Sequence, residues 1–180
     1  MVLLRGFAAP PQLPAFPDLL RLRAVAITCY PIYRGLAKLI GMEALPFCTD
    51  LDDELRALSR NYDQYDFFYV HFKATDRAGE DGDFDAKVAA LEELDRRIPH
   101  FLDLHPDVFI VTGDHSTPAI LKGHSWHPVP FLLWSRWSRS AGVSRFTERE
   151  CAQGPLGRMP AVDLMPLAMA NALRFKKFGA

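Results

Sequence analysis

Short runs of β-branched and aromatic residues alternate along this chain with stretches whose apolar residues recur every three or four positions, and no other feature constrains the fold as tightly. Residues 24–29, 66–72, 108–111 and 128–134 read as strands. Residues 33–42 place Leu36, Ala37 and Ile40 at helical spacing, and residues 50–61 open on acidic side chains and carry Leu51, Leu55 and Leu58 on one stripe. Phe84, Val88, Leu91, Leu94 and Ile98 define a longer helix, bent or ended near Pro99. Strands that alternate with helices imply parallel pairing, so the expected class is α/β: a mainly parallel sheet with helices on both faces. Residues 8–18 hold Pro10, Pro11, Pro14 and Pro17 and read as an extended surface connector, since proline fixes φ and withholds a donor. Further along, Thr147-Glu148-Arg149-Glu150 has capping-box spacing, and Asp163 is placed to cap a helix over 164–173.

The strand at 108–111 runs directly into Thr112-Gly113-Asp114-His115-Ser116-Thr117-Pro118, and His124-Ser125-Trp126-His127-Pro128-Val129-Pro130 follows. In open α/β sheets ligands bind beyond the carboxyl ends of strands, so Asp114, His115 and His124 are candidate metal ligands. The strand at 66–72 leads in the same way to Asp76 and Glu80, four residues apart around Gly79. On a helical turn that spacing puts both carboxylates on one face; in a tight glycine-containing loop it converges two oxygens equally well. His71, among bulky apolar neighbours, reads as a hydrogen-bonded core histidine, and His100 and His105 read as helix-surface residues.

With 180 residues, 49% of them hydrophobic and 24% charged, the chain can bury one domain-sized core. A formal charge of -1 and a pI near 6.6 leave no basic footprint for nucleic acid. Cys29, Cys48 and Cys151 are odd in number and lack CxxC spacing, so neither a disulfide framework nor a thiolate zinc site is expected, and a reducing cytoplasm fits. No run approaches the ~20 apolar residues of a membrane span, and a soluble cytoplasmic protein is expected.

Taken in order, Lys73-Ala74-Thr75-Asp76-x-Ala78-Gly79, the Thr112–Pro118 heptapeptide and His124-Ser125-x-x-Pro128-Val129-Pro130 resemble the cofactor-independent phosphoglycerate mutases of the archaeal type, members of the alkaline phosphatase superfamily. Leu4-Arg5-Gly6, Tyr30-Pro31-x-Tyr33-Arg34-Gly35-x-Ala37-Lys38 and Gly154-x-Leu156-Gly157-Arg158 extend the resemblance over nearly the whole chain. The resemblance implies an alkaline phosphatase-like core and two divalent metals, manganese or zinc with magnesium as a further option. It also implies a serine that takes the phosphoryl group from 3-phosphoglycerate and returns it to the other glycerate oxygen. By the same resemblance Asp76, His124 and Glu80 hold one metal and Asp114 and His115 the second. Glu80 replaces the histidine usual in the family, a harder oxygen donor that makes its site less zinc-like.

The family's remaining metal-binding aspartate and its serine nucleophile lie near the start of a longer chain, and these residues resemble the portion after them. The expected organisation is a connector at residues 1–23 followed, over 24–180, by the C-terminal part of the metal-binding domain. Ser116 does not match the nucleophile's motif. Arg5, Arg34 and Lys38 are candidate contacts for substrate phosphate or carboxylate, because cationic side chains match such anions, arginine in bidentate fashion; solvated surface cations are the plain alternative. The expected partner is phosphoglycerate or another small phosphorylated substrate, with a separate N-terminal chain or self-association completing the site. A metal-dependent phosphatase or phosphonate-processing hydrolase, in which a metal-activated water replaces serine, is the enzymatic alternative.

Overall fold

All five residues of β1 (Ala24–Thr28) are buried, as a strand covered on both faces requires and as its small and β-branched side chains permit. The computed structural model describes residues 9–46 and 48–175, and the chain divides into two compact units between Lys73 and Ala74. In the first unit β1 is the central strand of a parallel sheet, between β2 (Glu43–Ala44) and β3 (Phe67–His71). Its pairing with β3 runs from Ala24↔Phe67 to Thr28↔His71. Arg23 fixes that register at its start, donating from its backbone N–H and its guanidinium to the Asp66 carboxylate.

Ala24 and Ala26 pack with Ala37 of α2 (Pro31–Leu39) and with Met42, against Phe16, Ile40, Phe67 and Tyr69. Strand alternation sends Val25 and Ile27 to the opposite face, where both are fully buried. The second helix on β1, α3 (Leu51–Asn61), buries Leu51, Leu55 and Leu58. Its N-cap is Asp50, whose carboxylate accepts from the Asp53 N–H at 2.8 Å. The α/β expectation of a parallel sheet flanked by helices is thus realised here.

Of the proline-rich connector, residues 9–15 form neither helix nor strand. Pro17 sits in the first turn of α1 (Phe16–Leu20), where a missing N–H costs nothing, and Phe16 lays its ring 5.0 Å from that of Phe67. Burial of one aromatic outweighs the proline content. Gly41, at φ 78°, ends the α2 segment where a Cβ would stand 3.0 Å from that of Ala15. His71 stacks on Tyr33 with centroids 3.9 Å apart, Nδ1 lying 3.4 Å from Thr28 Oγ1.

The second unit opens with a helical hairpin, α4 (Ala74–Asp81) and α5 (Phe84–Leu102). Asp83 caps α5 by accepting from the Ala86 N–H at 2.9 Å. Pro99 does not end α5: its ring forfeits one donor, but its carbonyl still accepts from Asp103 at 2.8 Å, and the helix runs on to Leu102. His100 lies in that last turn, whereas His105 stands beyond the helix at φ 52°. The strands β4 (Val108–Thr112) and β5 (Phe131–Ser135) pair antiparallel, from Val108↔Ser135 to Thr112↔Phe131. No helix separates these two, so residues 113–130 return the chain directly, and only an antiparallel partner is reachable without a crossover.

Thr147 caps α6 (Glu148–Cys151), accepting from the Glu150 N–H at 3.3 Å, but the Glu150 carboxylate turns to the Ser144 and Arg145 N–H groups instead of closing a capping box. Asp163 makes no cap bond to α7 (Leu164–Asn171), because it belongs to a 3₁₀ turn that already enters the helix. That helix is tied to β5 by the Ser135 hydroxyl, which donates to Asn171 Oδ1 at 2.8 Å. Among the described residues no helix is long and apolar enough to cross a membrane.

Candidate metal centre

Helix α4 carries Asp76 in its first turn and Glu80 one turn later, which settles the choice between loop and helix left open by their spacing. The Asp76 side chain is largely buried at 14% exposure, while that of Glu80 is open at 47%. His115 and His124 come from the link between β4 and β5. An isolated antiparallel bridge, Ser116↔Ser125, folds that link back on itself, with the Ser125 N–H donating to the Ser116 carbonyl at 2.9 Å. The bridge sets the two preceding residues side by side: the imidazole centroids are 3.8 Å apart.

These rings meet the carboxylates of α4. Asp76 Oδ1 lies 3.8 Å from His115 Nδ1 and 3.7 Å from His124 Nε2, and Glu80 Oε1 lies 3.4 Å from His124 Nε2. One donor atom from each of Asp76, His115 and His124 falls within 4.8 Å of the others. Asp114 stands at the edge, its Oδ2 3.5 Å from His115 Nε2 and its Oδ1 accepting from the His115 backbone N–H at 3.0 Å. Five of the eight residues singled out from sequence are therefore neighbours.

Of the other three, Arg5 lies outside the described residues. Arg34 and Lys38 are on α2 in the first unit; Lys38 is exposed in the last turn, and Arg34 keeps Nη1 buried without a hydrogen-bond partner among the described residues. His127 accepts or donates at 2.8 Å to the Ser125 hydroxyl.

Sequence reasoning passed over Thr117 and Lys87. Thr117 is buried, donates its hydroxyl to Asp76 Oδ1, and places the same oxygen 3.0 Å from His115 Nδ1. With the hydroxyl proton given to Asp76, the oxygen accepts from His115 Nδ1–H, which leaves Nε2 with the free lone pair. The Lys87 ammonium on α5 donates to the Thr117 carbonyl and holds the loop down. Gly79 lets α4 approach: a Cβ there would stand 2.3 Å from that same carbonyl oxygen. Thr117 was present in the quoted heptapeptide, but nothing in linear spacing showed that its hydroxyl bridges an aspartate from another segment. Carboxylate and imidazole donors in this proportion suit a borderline divalent cation.

The full-length "probable 2,3-bisphosphoglycerate-independent phosphoglycerate mutase" of Thermotoga neapolitana is 55% identical over 178 residues, covering 99% of this chain but 44% of that protein. The chain thus spans less than half the length of that relative. The structure of the PH0037 protein from Pyrococcus horikoshii superposes with a TM-score of 0.91 at 32% identity, over 98% of this chain and 57% of that one. The cofactor-independent phosphoglycerate mutase from Thermoplasma acidophilum shares the fold, with a TM-score of 0.71 at 22% identity over 90% of this chain and 40% of its own. The metalloenzyme superfamily model matches residues 47–171, a span that takes in both helices of the hairpin and the whole bridged link, and to that superfamily the chain belongs.

Proposed function

We propose that this chain supplies the metal-holding part of a phosphoryl-transfer site of the phosphoglycerate mutase type, interconverting 3- and 2-phosphoglycerate in the complete protein. The observation that carries this reading is the convergence of Asp76, His115 and His124, with donors within 4.8 Å of one another and Glu80 and Asp114 at their margin. In this reading Asp76, His124 and Glu80 hold one ion, and Asp114 with His115 holds the second. Glu80 makes its site harder and favours manganese or magnesium over zinc. When bound, paired divalent ions stabilise the charge on the attacking and leaving oxygens of a phosphoryl group.

The chain's own residues do the positioning. Thr117 fixes the Asp76 carboxylate and the His115 tautomer together, and Lys87 anchors the loop that carries both Thr117 and His115. The phosphorylated serine of the resembling family falls outside these residues, so the 180-residue chain alone binds metal without mutase turnover. Work on a glycolytic intermediate places the complete protein in the cytoplasm.

A second reading, a module completed by further polypeptide, is favoured by the sheets. Among the described residues β3 pairs along one edge only, as do β4 and β5, and Trp134 on β5 is 47% exposed; unpaired edges and exposed aromatic side chains mark surfaces that another segment covers.

Calorimetric titration of the metal-free chain with Mn²⁺, which the thiol-free cluster on α4 favours, tests the site. Uptake that weakens about tenfold or more in Asp76→Asn and in His124→Ala is expected, and uptake indifferent to both substitutions rejects the assignment. In a coupled assay, robust conversion of 3-phosphoglycerate by this chain alone rejects the division of labour. Chelator-sensitive hydrolysis of a generic phosphomonoester transfers support to the hydrolase alternative.

A further inference from the structure

Spacing along the chain pointed away from a thiolate cluster, yet the first unit brings two cysteines and a glutamate together. Cys29 follows the last residue of β1, Cys48 precedes α3, and Glu54 lies in the first turn of α3; one donor atom from each falls within 4.8 Å of the other two. We propose that Cys29, Cys48 and Glu54 form a second metal site, separate from the Asp76–His115–His124 cluster, that takes a soft divalent cation such as zinc.

The Glu54 side chain makes the case. The residue is 2% exposed, and its Oε1 accepts from the Cys29 backbone N–H at 2.9 Å, but Oε2 is buried with no hydrogen-bond partner among the described residues. A buried carboxylate oxygen left unpaired is costly, and native structures rarely tolerate one unless something outside the protein chain completes it. The two thiols stand next to it and are poorly satisfied themselves: Cys29 Sγ donates to the Asp50 carbonyl at 3.6 Å and Cys48 Sγ to the Pro46 carbonyl at 3.7 Å. Two sulfurs and one oxygen are the donors of a borderline-soft cation, which calcium and magnesium do not match.

Geometry and charge agree. Donors around a tetrahedral zinc lie about 2.0–2.3 Å from the metal, hence roughly 3.5 Å from one another, so closure from the present separation needs shifts of about an ångström. Burial pushes both thiols and the Glu54 carboxyl towards their protonated forms, the carboxyl to about 7. A cation replaces those protons and removes the penalty that raises them. Two thiolates and a carboxylate around a divalent ion leave one surplus negative charge, and the Arg34 guanidinium acts on Cys48 with the opposite sign. Asp50 and Asp53 are the other charged groups that act on the cluster, and both add negative potential that favours a cation. Cys29 is only partly buried, which gives the ion an entry path, and the open fourth position falls to water or an added ligand.

Cobalt(II) is the probe, because sulfur-to-cobalt charge transfer absorbs in the near ultraviolet and oxygen or nitrogen ligation does not. The reduced, metal-free chain titrated with Co²⁺ is expected to develop that band and to lose it when Zn²⁺ is added. Cys29→Ser and Cys48→Ser should each remove at least half of the intensity, and Glu54→Gln should weaken cobalt affinity by about tenfold or more. Cys151→Ser and Asp76→Asn should leave the band unchanged, the latter separating this site from the centre on α4. Absence of the band in the wild-type chain overturns the proposal whatever the variants do. So does a band that survives both Cys29→Ser and Cys48→Ser or that vanishes in Cys151→Ser.

Discussion

Replacing Gly79 with alanine probes how tightly the candidate metal centre is seated. Gly79 is buried in α4, and a Cβ there would stand 2.3 Å from the Thr117 carbonyl oxygen and 3.0 Å from both Thr117 Cγ2 and the Lys87 ammonium nitrogen. Alanine is the better helix former by about 1 kcal/mol, so at an uncrowded position the substitution would stabilise. Here the carbonyl must retreat by about 1 Å to reach ordinary contact, and it belongs to the residue whose hydroxyl joins Asp76 to His115. Overpacking of this kind costs about 1–3 kcal/mol, and straining the Lys87 bond to the same carbonyl adds about 1 kcal/mol. The crowding outweighs the propensity, for a net destabilisation of about 1–3 kcal/mol. Urea unfolding of the metal-free chain reads that loss as a lower midpoint with unchanged slope, and calorimetry with Mn²⁺ reads a weaker affinity in the same variant. A Gly79→Ala chain that is as stable as wild type, with metal affinity intact, refutes the close approach of α4 to Thr117.

Two further outcomes follow from the same geometry. Thr117→Val keeps the shape of a buried side chain but removes the hydroxyl that orients Asp76 and His115; metal affinity should fall about 10–100-fold while the circular dichroism spectrum is preserved, and unchanged affinity would show that the hydroxyl orients nothing. Burial raises the Glu54 carboxyl from 4.5 to about 7 in the folded chain, so between those values the folded state binds more protons than the unfolded one. Stability of the reduced, metal-free chain therefore falls as pH rises from about 4.5 through 7, by an amount on the order of 2–3 kcal/mol, and Glu54→Gln removes that component. Urea midpoints at pH 5 and pH 8 compare the two chains, and parallel pH profiles would contradict the burial of an ionisable group at this position.

Much of the fold was legible because burial writes itself into sequence locally. β1 is covered on both faces and reads as an unbroken run of small and β-branched residues, and α3 shows both its acidic cap and its leucine stripe. Misreadings arose where contacts outside the repeating pattern decided. Pro17 sits at a helix start because Phe16 finds Phe67, whereas α5 does end close to Pro99, three residues on at Leu102. The capping box at Thr147 is half-made because two backbone N–H groups from 144 and 145 take the Glu150 carboxylate first.

The candidate metal centre divides along the same line. Sequence alone singled out the candidate side chains: Asp76 and Glu80 stand four residues apart, a step that shares one face wherever the segment is helical, and Asp114-His115 leaves a strand end together. Tertiary structure alone decided that His124 meets His115, through a single bridge between Ser116 and Ser125, and that Thr117 links the two halves of the cluster. It alone also brought Cys29 and Cys48 to Glu54, whose Oε2 finds no hydrogen-bond partner among the described residues. Periodicity along a helix or strand is a property of neighbouring residues and can be read from their order. Convergence of donors on one point depends on where separate segments pack, and the chain's order holds no record of that distance.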